Sequence, residues 1–141
     1  MITMNSVPWH DIDDVWPDME QYVQSAVDES HGTLTARAIQ ECIRDRDMQA
    51  MVAVDEDGEI VGVMVTEVLA AVSGVTYIYA VALAGDRFEE WRGQASDLLK
   101  QWATSMNAPF VLFQGRRGWV KRLADLGWRE QSVVMALDLR N

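Results

Sequence analysis

The sequence predicts one α/β domain, a central sheet with crossover helices covering its faces. Two observations carry this. The apolar period shifts from three-to-four residues, to alternation and β-branched runs, and back again. Helices also follow strands at short intervals, which calls for crossovers packed on the faces of a sheet. No linker or repeat divides the 141 residues, so residues 1–141 are read as a single domain, helical over about 11–46 and strand-and-crossover over about 48–139.

Asp11 to Glu29 places Ile12, Val15, Trp16, Met19, Tyr22, Val23 and Ala26 on one helical stripe, with Pro17 marking a kink or restart. Ser30-His31-Gly32 ends this segment, and Thr33 or Thr35 caps a second helix to about Arg46. From Met48 to Val68 two β-branched runs flank Asp55-Glu56-Asp57-Gly58, a hairpin signal. Val75 to Leu83 reads as a buried strand.

Phe88, Trp91, Ala95, Leu98, Trp102 and Met106 advance by three or four, a strong helix stopped by Asn107-Ala108-Pro109. Phe110 to Phe113 is a short strand. A helix from Arg116 to Leu126 follows, with Trp119, Val120, Leu123 and Leu126 on its apolar face, a weak Lys121–Asp125 pair, room for close approach at Gly118 and a C-cap at Gly127. Trp128 to Leu139 closes the chain as a strand, with Val133, Met135, Leu137 and Leu139 on one face.

A net charge of −10 opposes direct binding to nucleic acid. An acidic protein can instead mimic DNA toward a DNA-binding target, but here the acids cluster only locally, at Asp11–Asp14 and Asp55–Glu59. Neither a secretory leader nor a membrane span is expected. One cysteine, Cys42, excludes an internal disulfide and fits a reducing compartment. With His10 and His31 it offers no metal spacing and no nucleophile partner.

The order of elements, ending in strand, helix, Leu126-Gly127-Trp128 and strand, resembles the GCN5-related N-acetyltransferase (GNAT) fold, in which a Leu-Gly-aromatic corner returns the chain to its last strands; the resemblance implies a single GNAT-like (acyl-CoA N-acyltransferase) α/β domain with a central mixed, mostly antiparallel sheet flanked by helices. More narrowly, Gly115-Arg116-Arg117-Gly118-Trp119, preceded by Ala84-Gly85 and a Trp-rich helix, is similar to the small GNAT-like proteins encoded by tailed bacteriophages. The likeness runs from about Met48 to Leu139. It implies acetyl-CoA as cofactor if the protein is an active acetyltransferase.

The family holds pyrophosphate on Gln/Arg-x-x-Gly-x-Gly/Ala. Glu90-Trp91-Arg92-Gly93-Gln94-Ala95 falls on that pattern; Gly93 and Ala95 match and Glu90 departs from it. Asp86 and Glu89 also form a capping box that starts the helix near Arg87 and leaves Gly93 mid-helix. Either Leu83, Gly85, Arg87, Arg92 and Gly93 hold coenzyme A in an unusual loop, or the site has decayed; the second reading is preferred.

The family's usual tyrosine position falls on Leu123 and its frequent asparagine on Arg116, which leaves Glu67 and Tyr79 as candidate base and acid. Tyr77 and Tyr79 are expected to divide between the sheet's faces, only one on a given side. Arg116 and Arg117 oppose the helix dipole, so a carboxylate of the chain, a cofactor phosphate or a protein partner should compensate them.

The expected function is therefore that of a phage-encoded GNAT-fold protein with an incomplete acyl-CoA site. It would act through protein contacts, phage or host, as a virion-associated or assembly factor, in the host cytoplasm or the virion, with no membrane contact. The alternatives are an active N-acetyltransferase on a small amine or protein, and an acidic inhibitor of a host DNA-binding protein.

Overall fold

The computed structural model describes residues 1–140. Its first element is a strand that was not expected, ahead of the helical part read from about residue 11. β1 (Thr3–Val7) pairs antiparallel with β2 (Gln49–Val54), Met4 opposite Ala53. The stretch TMNSV hid this because only Val7 among its side chains is buried, so no apolar alternation marks it. Between these strands stand α1 (Ile12–Val27) and α2 (Ala36–Arg44). α1 runs through Pro17 without restarting; Pro17 is exposed, so the carbonyl it leaves unbonded faces water. Thr35 caps α2, its hydroxyl accepting from the Ala38 amide at 3.1 Å.

β2 and β3 (Ile60–Ala70) form the expected hairpin. Asp55 organises its turn by accepting from the amides of Asp57 and Glu59, both at 2.9 Å. β4 (Thr76–Gly85) pairs antiparallel with β3, and α3 (Phe88–Ser105) then crosses to β5 (Val111–Phe113), which lies parallel to β4. α4 (Gly118–Leu123) and a single 3-10 turn to Leu126 complete the ordered elements. The sheet order is β1-β2-β3-β4-β5.

Strand alternation divides the core in two. Val52, Val63 and Val65 face α1 and α2, where Trp16, Met19, Val23, Ile39 and Ile43 cover them. Ala53, Met64 and Ile78 point the other way, under Phe88, Trp91 and Leu99 of α3 and Leu123 of α4.

The strand expected over Trp128–Leu139 does not form. Gly127, at φ 91°, turns the chain as a C-cap. Trp128 then packs on α3, its indole N–H donating to the Ser96 hydroxyl at 3.0 Å. Past it the chain pairs with no strand, and Val133, Met135, Leu137 and Leu139 are exposed. Alternation states which face a strand would bury; it does not supply the neighbouring edge.

Gly93 lies within α3, and a Cβ there would meet nothing within 4 Å. Gly93→Ala is expected to raise stability by about 1 kcal/mol through helix propensity alone, as a higher urea midpoint with an unchanged slope.

Candidate functional site

β4 and β5 pair only from Ile78–Val111 to Ala80–Phe113. Just beyond, Val65 faces Ala82 and Thr66 faces Ala80, so Val81 of β4 is an unopposed extra residue. A bulge of this kind increases local twist and turns its strand aside. β5 ends at the same level, and the two parallel strands part. The slot between them has a volume of about 170 Å³. Val81 to Gly85 form one wall, and Phe113, Gln114, Gly115, Arg116, Trp119 and Arg122 the other, with the end of α1 at Ala26 and Glu29 alongside.

Phe113 and Trp119 line this slot, and Phe88 and Trp91 extend their aromatic cluster under α3. Phe88 meets Trp91 edge-on at 4.8 Å and Trp119 at 5.0 Å, and Trp119 meets Phe113 at 5.2 Å. These are favourable edge-to-face contacts. The Arg122 guanidinium lies 4.6 Å from the ring centres of both Phe88 and Trp119. The close approach expected at Gly118 occurs at Gly115 instead: a Cβ there would stand 2.7 Å from Trp119 Cδ1 and 2.9 Å from Phe113 Cζ, whereas one at Gly118 meets nothing.

α3 begins early, at Phe88, but without the expected capping box. Arg87, in the left-handed region at φ 55°, is its N-cap, and no side chain caps the helix. The Asp86 carboxylate instead accepts from the Tyr22 hydroxyl at 3.2 Å, while its carbonyl accepts from the Trp91 indole at 2.9 Å. Burial is the first cause that raises the Tyr22 pKa, followed by the Asp86 charge.

The first turn carries Glu89 and Glu90, and the nearby guanidiniums are committed to carboxylates. Arg87 holds Glu90 at 2.6 Å and Glu56 at 3.4 Å. Arg92 grips both Asp125 oxygens, at 2.6 and 2.8 Å, and lies 3.0 Å from Glu89. Asp125 therefore pairs with Arg92 and not, as expected, with Lys121: Arg92 offers a two-pronged donor across α3 and α4 that one ammonium cannot match.

The Arg87 hydrogen bond holds the Glu90 carboxyl below its usual range. Glu56 is lowered as well, first by a backbone hydrogen bond and then by the terminal ammonium. A carboxyl depressed on folding contributes stability that is present above its unfolded pKa, about 4.3, and lost as pH falls through the folded value. Arg87 stays protonated throughout. Arg87→Ala should lower the melting temperature slightly at neutral pH, the pairs being exposed, and not at all once both carboxyls are protonated. Melting curves taken down to about pH 2 should converge.

Of the proposed cofactor contacts, Leu83 and Gly85 line the slot. Arg87 and Arg92 are tied into the ion pairs above, and Gly93 sits in mid-helix. Glu67 and Tyr79 are direct cross-strand partners, so they share a face. Tyr77 and Tyr79, two residues apart, share that face as well, and the expected division between faces does not occur. The Tyr79 hydroxyl donates to Gln114 Oε1 at 3.2 Å, and its pKa is raised first by burial and then by Tyr77 and Glu67.

Arg116 reaches Glu29 at 3.6 Å, so a carboxylate of the chain compensates it. Arg117 is exposed beside it. Burial raises the Cys42 thiol first, with Asp47 and Glu67 adding to it. Among the described residues no cluster of three His, Cys, Asp or Glu side chains could hold a metal, and no helix is long and apolar enough to cross a membrane.

Sequence reasoning missed Phe113, Gln114 and Arg122 as slot residues. It placed Trp119 against the sheet without foreseeing that this indole would line the slot where the β4–β5 pairing ends. The one signal was the recurrence of aromatic residues at 88, 91, 113 and 119.

No family model matches the chain, and no curated protein sequence does. Solved structures do match over nearly the whole length. An acetyltransferase of Trypanosoma brucei superposes with a TM-score of 0.67 at 16% identity, covering 99% of this chain and 100% of that one. Glucosamine-6-phosphate N-acetyltransferase of Arabidopsis thaliana gives 0.69 at 13% identity, with 99% of each chain covered. Ribosomal-protein-alanine N-acetyltransferase of Brucella melitensis gives 0.65 at 16%, with 100% and 99% covered. The five-stranded mixed sheet flanked by four helices is the GNAT acyl-CoA N-acyltransferase fold.

Proposed function

We propose that this chain is a GNAT-fold protein whose acyl-CoA slot is closed and which works through protein contacts, as a virion-associated or assembly factor encoded by a tailed phage. One observation carries the reading: the indole of Trp119 and the Arg122 guanidinium stacked on it stand where the strands part. The remaining 170 Å³ falls short of the roughly 300–1,000 Å³ of small-molecule sites. The residues at the start of α3 fit a cofactor diphosphate no better. Helix amides there would favour an anion, but Glu89 and Glu90 flank them, and Arg87 and Arg92 are engaged by carboxylates. The phage assignment rests on the resemblance of Gly115–Trp119 and Ala84-Gly85 and on nothing in the geometry. Arg116 and Arg117, exposed at the start of α4, are the proposed partner-binding residues.

An active N-acetyltransferase is the second reading, favoured by the parting of β4 and β5 at Ala80 and Phe113 and by Arg116 and Arg122 at the slot. Acetyl-CoA would be its donor, with Glu67 and Tyr79 as base and acid. Calorimetric titration with acetyl-CoA separates the two. No heat of binding is expected at millimolar ligand; micromolar affinity accompanied by thiol release with amine acceptors would overturn the closed-slot reading.

A further inference from the structure

α4 and the residues leading into it form one wall of the slot, through Arg116, Trp119 and Arg122. The element has little apolar hold on the rest of the molecule. From Gly118 to Leu126 only Leu123 is buried; Trp119 and Leu126 are half-buried, and Val120 is 40% exposed. No side chain caps α4, and glycines stand at both ends, Gly118 at its start and Gly127, at φ 91°, beyond its last turn.

Its polar ties are ionic and run to the neighbouring helices. Arg116 reaches Glu29, just past α1, at 3.6 Å, and Arg122 reaches Glu89 of α3 at 3.6 Å. Arg92 of α3 holds both Asp125 oxygens, at 2.6 and 2.8 Å, and donates to the Arg122 carbonyl at 3.3 Å. The three carboxylates are exposed. Such pairs are weak singly and are screened by ions, so the wall is fastened by contacts that another anion can compete for. Arg117 and Lys121 stand one helical turn apart and are exposed, which offers that anion a first foothold.

We propose that α4 is a lid latched by these ion pairs, released when an acidic segment of a partner protein docks on its basic face. Partner carboxylates on Arg117 and Lys121 compete with Glu29 and Glu89 for Arg116 and Arg122, and the helix swings away from the mouth of the slot. The proposal rests on the closed-slot reading and gives that closure a regulation: partner binding and access to the slot favour each other.

Amide hydrogen exchange and calorimetry on the full chain test this. Poly-glutamate stands in for the partner, and pantetheine probes the slot without the diphosphate that Glu89 and Glu90 oppose. Asp125→Asn with Glu89→Gln alters exposed side chains only. It is expected to speed exchange of residues 118–126 about fivefold, with β2 and β3 unchanged. Poly-glutamate at low salt should do the same to the native chain and raise its pantetheine affinity about fivefold. Exchange of residues 118–126 unmoved by the substitutions or by poly-glutamate would overturn the latch. Faster exchange in a chain that binds pantetheine in neither state would overturn the lid. Micromolar pantetheine binding by the native chain alone would instead overturn the closed-slot reading beneath both.

Discussion

Trp91→Ala is expected to remove about 3–5 kcal/mol of stability, the cost of emptying a fully buried indole site. In a domain stabilised by roughly 5–15 kcal/mol that is a large share. Trp91 is 0% exposed and lies across Gly62 of β3 and Gly85 of β4, which face each other in register. Both glycines are seats for the ring. A Cβ on Gly62 would stand 2.4 Å from Trp91 Cζ2, and one on Gly85 would stand 2.4 Å from the Gly62 Cα. Gly85 also has φ of 154°. Gly62→Ala is therefore expected to cost about 1–3 kcal/mol by overpacking. The two substitutions together should cost less than their sum, with a coupling of about 1 kcal/mol or more. Urea unfolding of the four chains measures this, and additive costs would refute the contact as the reason for the glycine.

Trp119→Ala carries the second large expectation, about 3 kcal/mol of lost stability from the half-buried aromatic cluster. Its functional consequence is more diagnostic. Removing the indole enlarges the slot between β4 and β5 and takes away one of the two rings on which Arg122 stacks. If Trp119 excludes a pantetheine arm, the variant gains measurable acetyl-CoA affinity, in the millimolar range, where the native chain has none. Calorimetry on both chains decides it. A variant that stays folded by circular dichroism and binds no better would show that the carboxylates around the start of α3 exclude the cofactor without help from the ring.

Periodicity located the four helices by the one face each buries, and four of the five strands by their apolar, largely β-branched runs. Phe88, Trp91, Ala95 and Leu99 could cover a sheet from only one helical face, and the β2–β3 turn follows from the local chemistry of Asp55 and Gly58. β1 escaped because a polar edge strand has almost no apolar pattern. The C-terminal strand was expected because its pattern is strong, yet pairing is a property of two segments and the sequence displays only one.

The candidate site was less legible. Glu89 and Glu90 at the head of α3 could be read directly, and so could the mid-helix Gly93. That Arg87 would serve Glu56 and Glu90, and Arg92 would serve Asp125, depended on which elements pack together. Guanidinium side chains are long, and their choice among many carboxylates is settled by distances that spacing along the chain does not contain.

What the sequence determined by itself was the class of fold, through the periods of its apolar residues, and the negative charge at the start of α3. Tertiary structure alone decided the rest: the bulge at Val81 beside the end of the β4–β5 pairing, the indole of α4 that lines the slot there, and the tail left without a neighbour. Periodicity is local and survives in one dimension. Lining a slot requires residues thirty or more positions apart to meet, and the identity of that meeting partner exists only once the chain is folded.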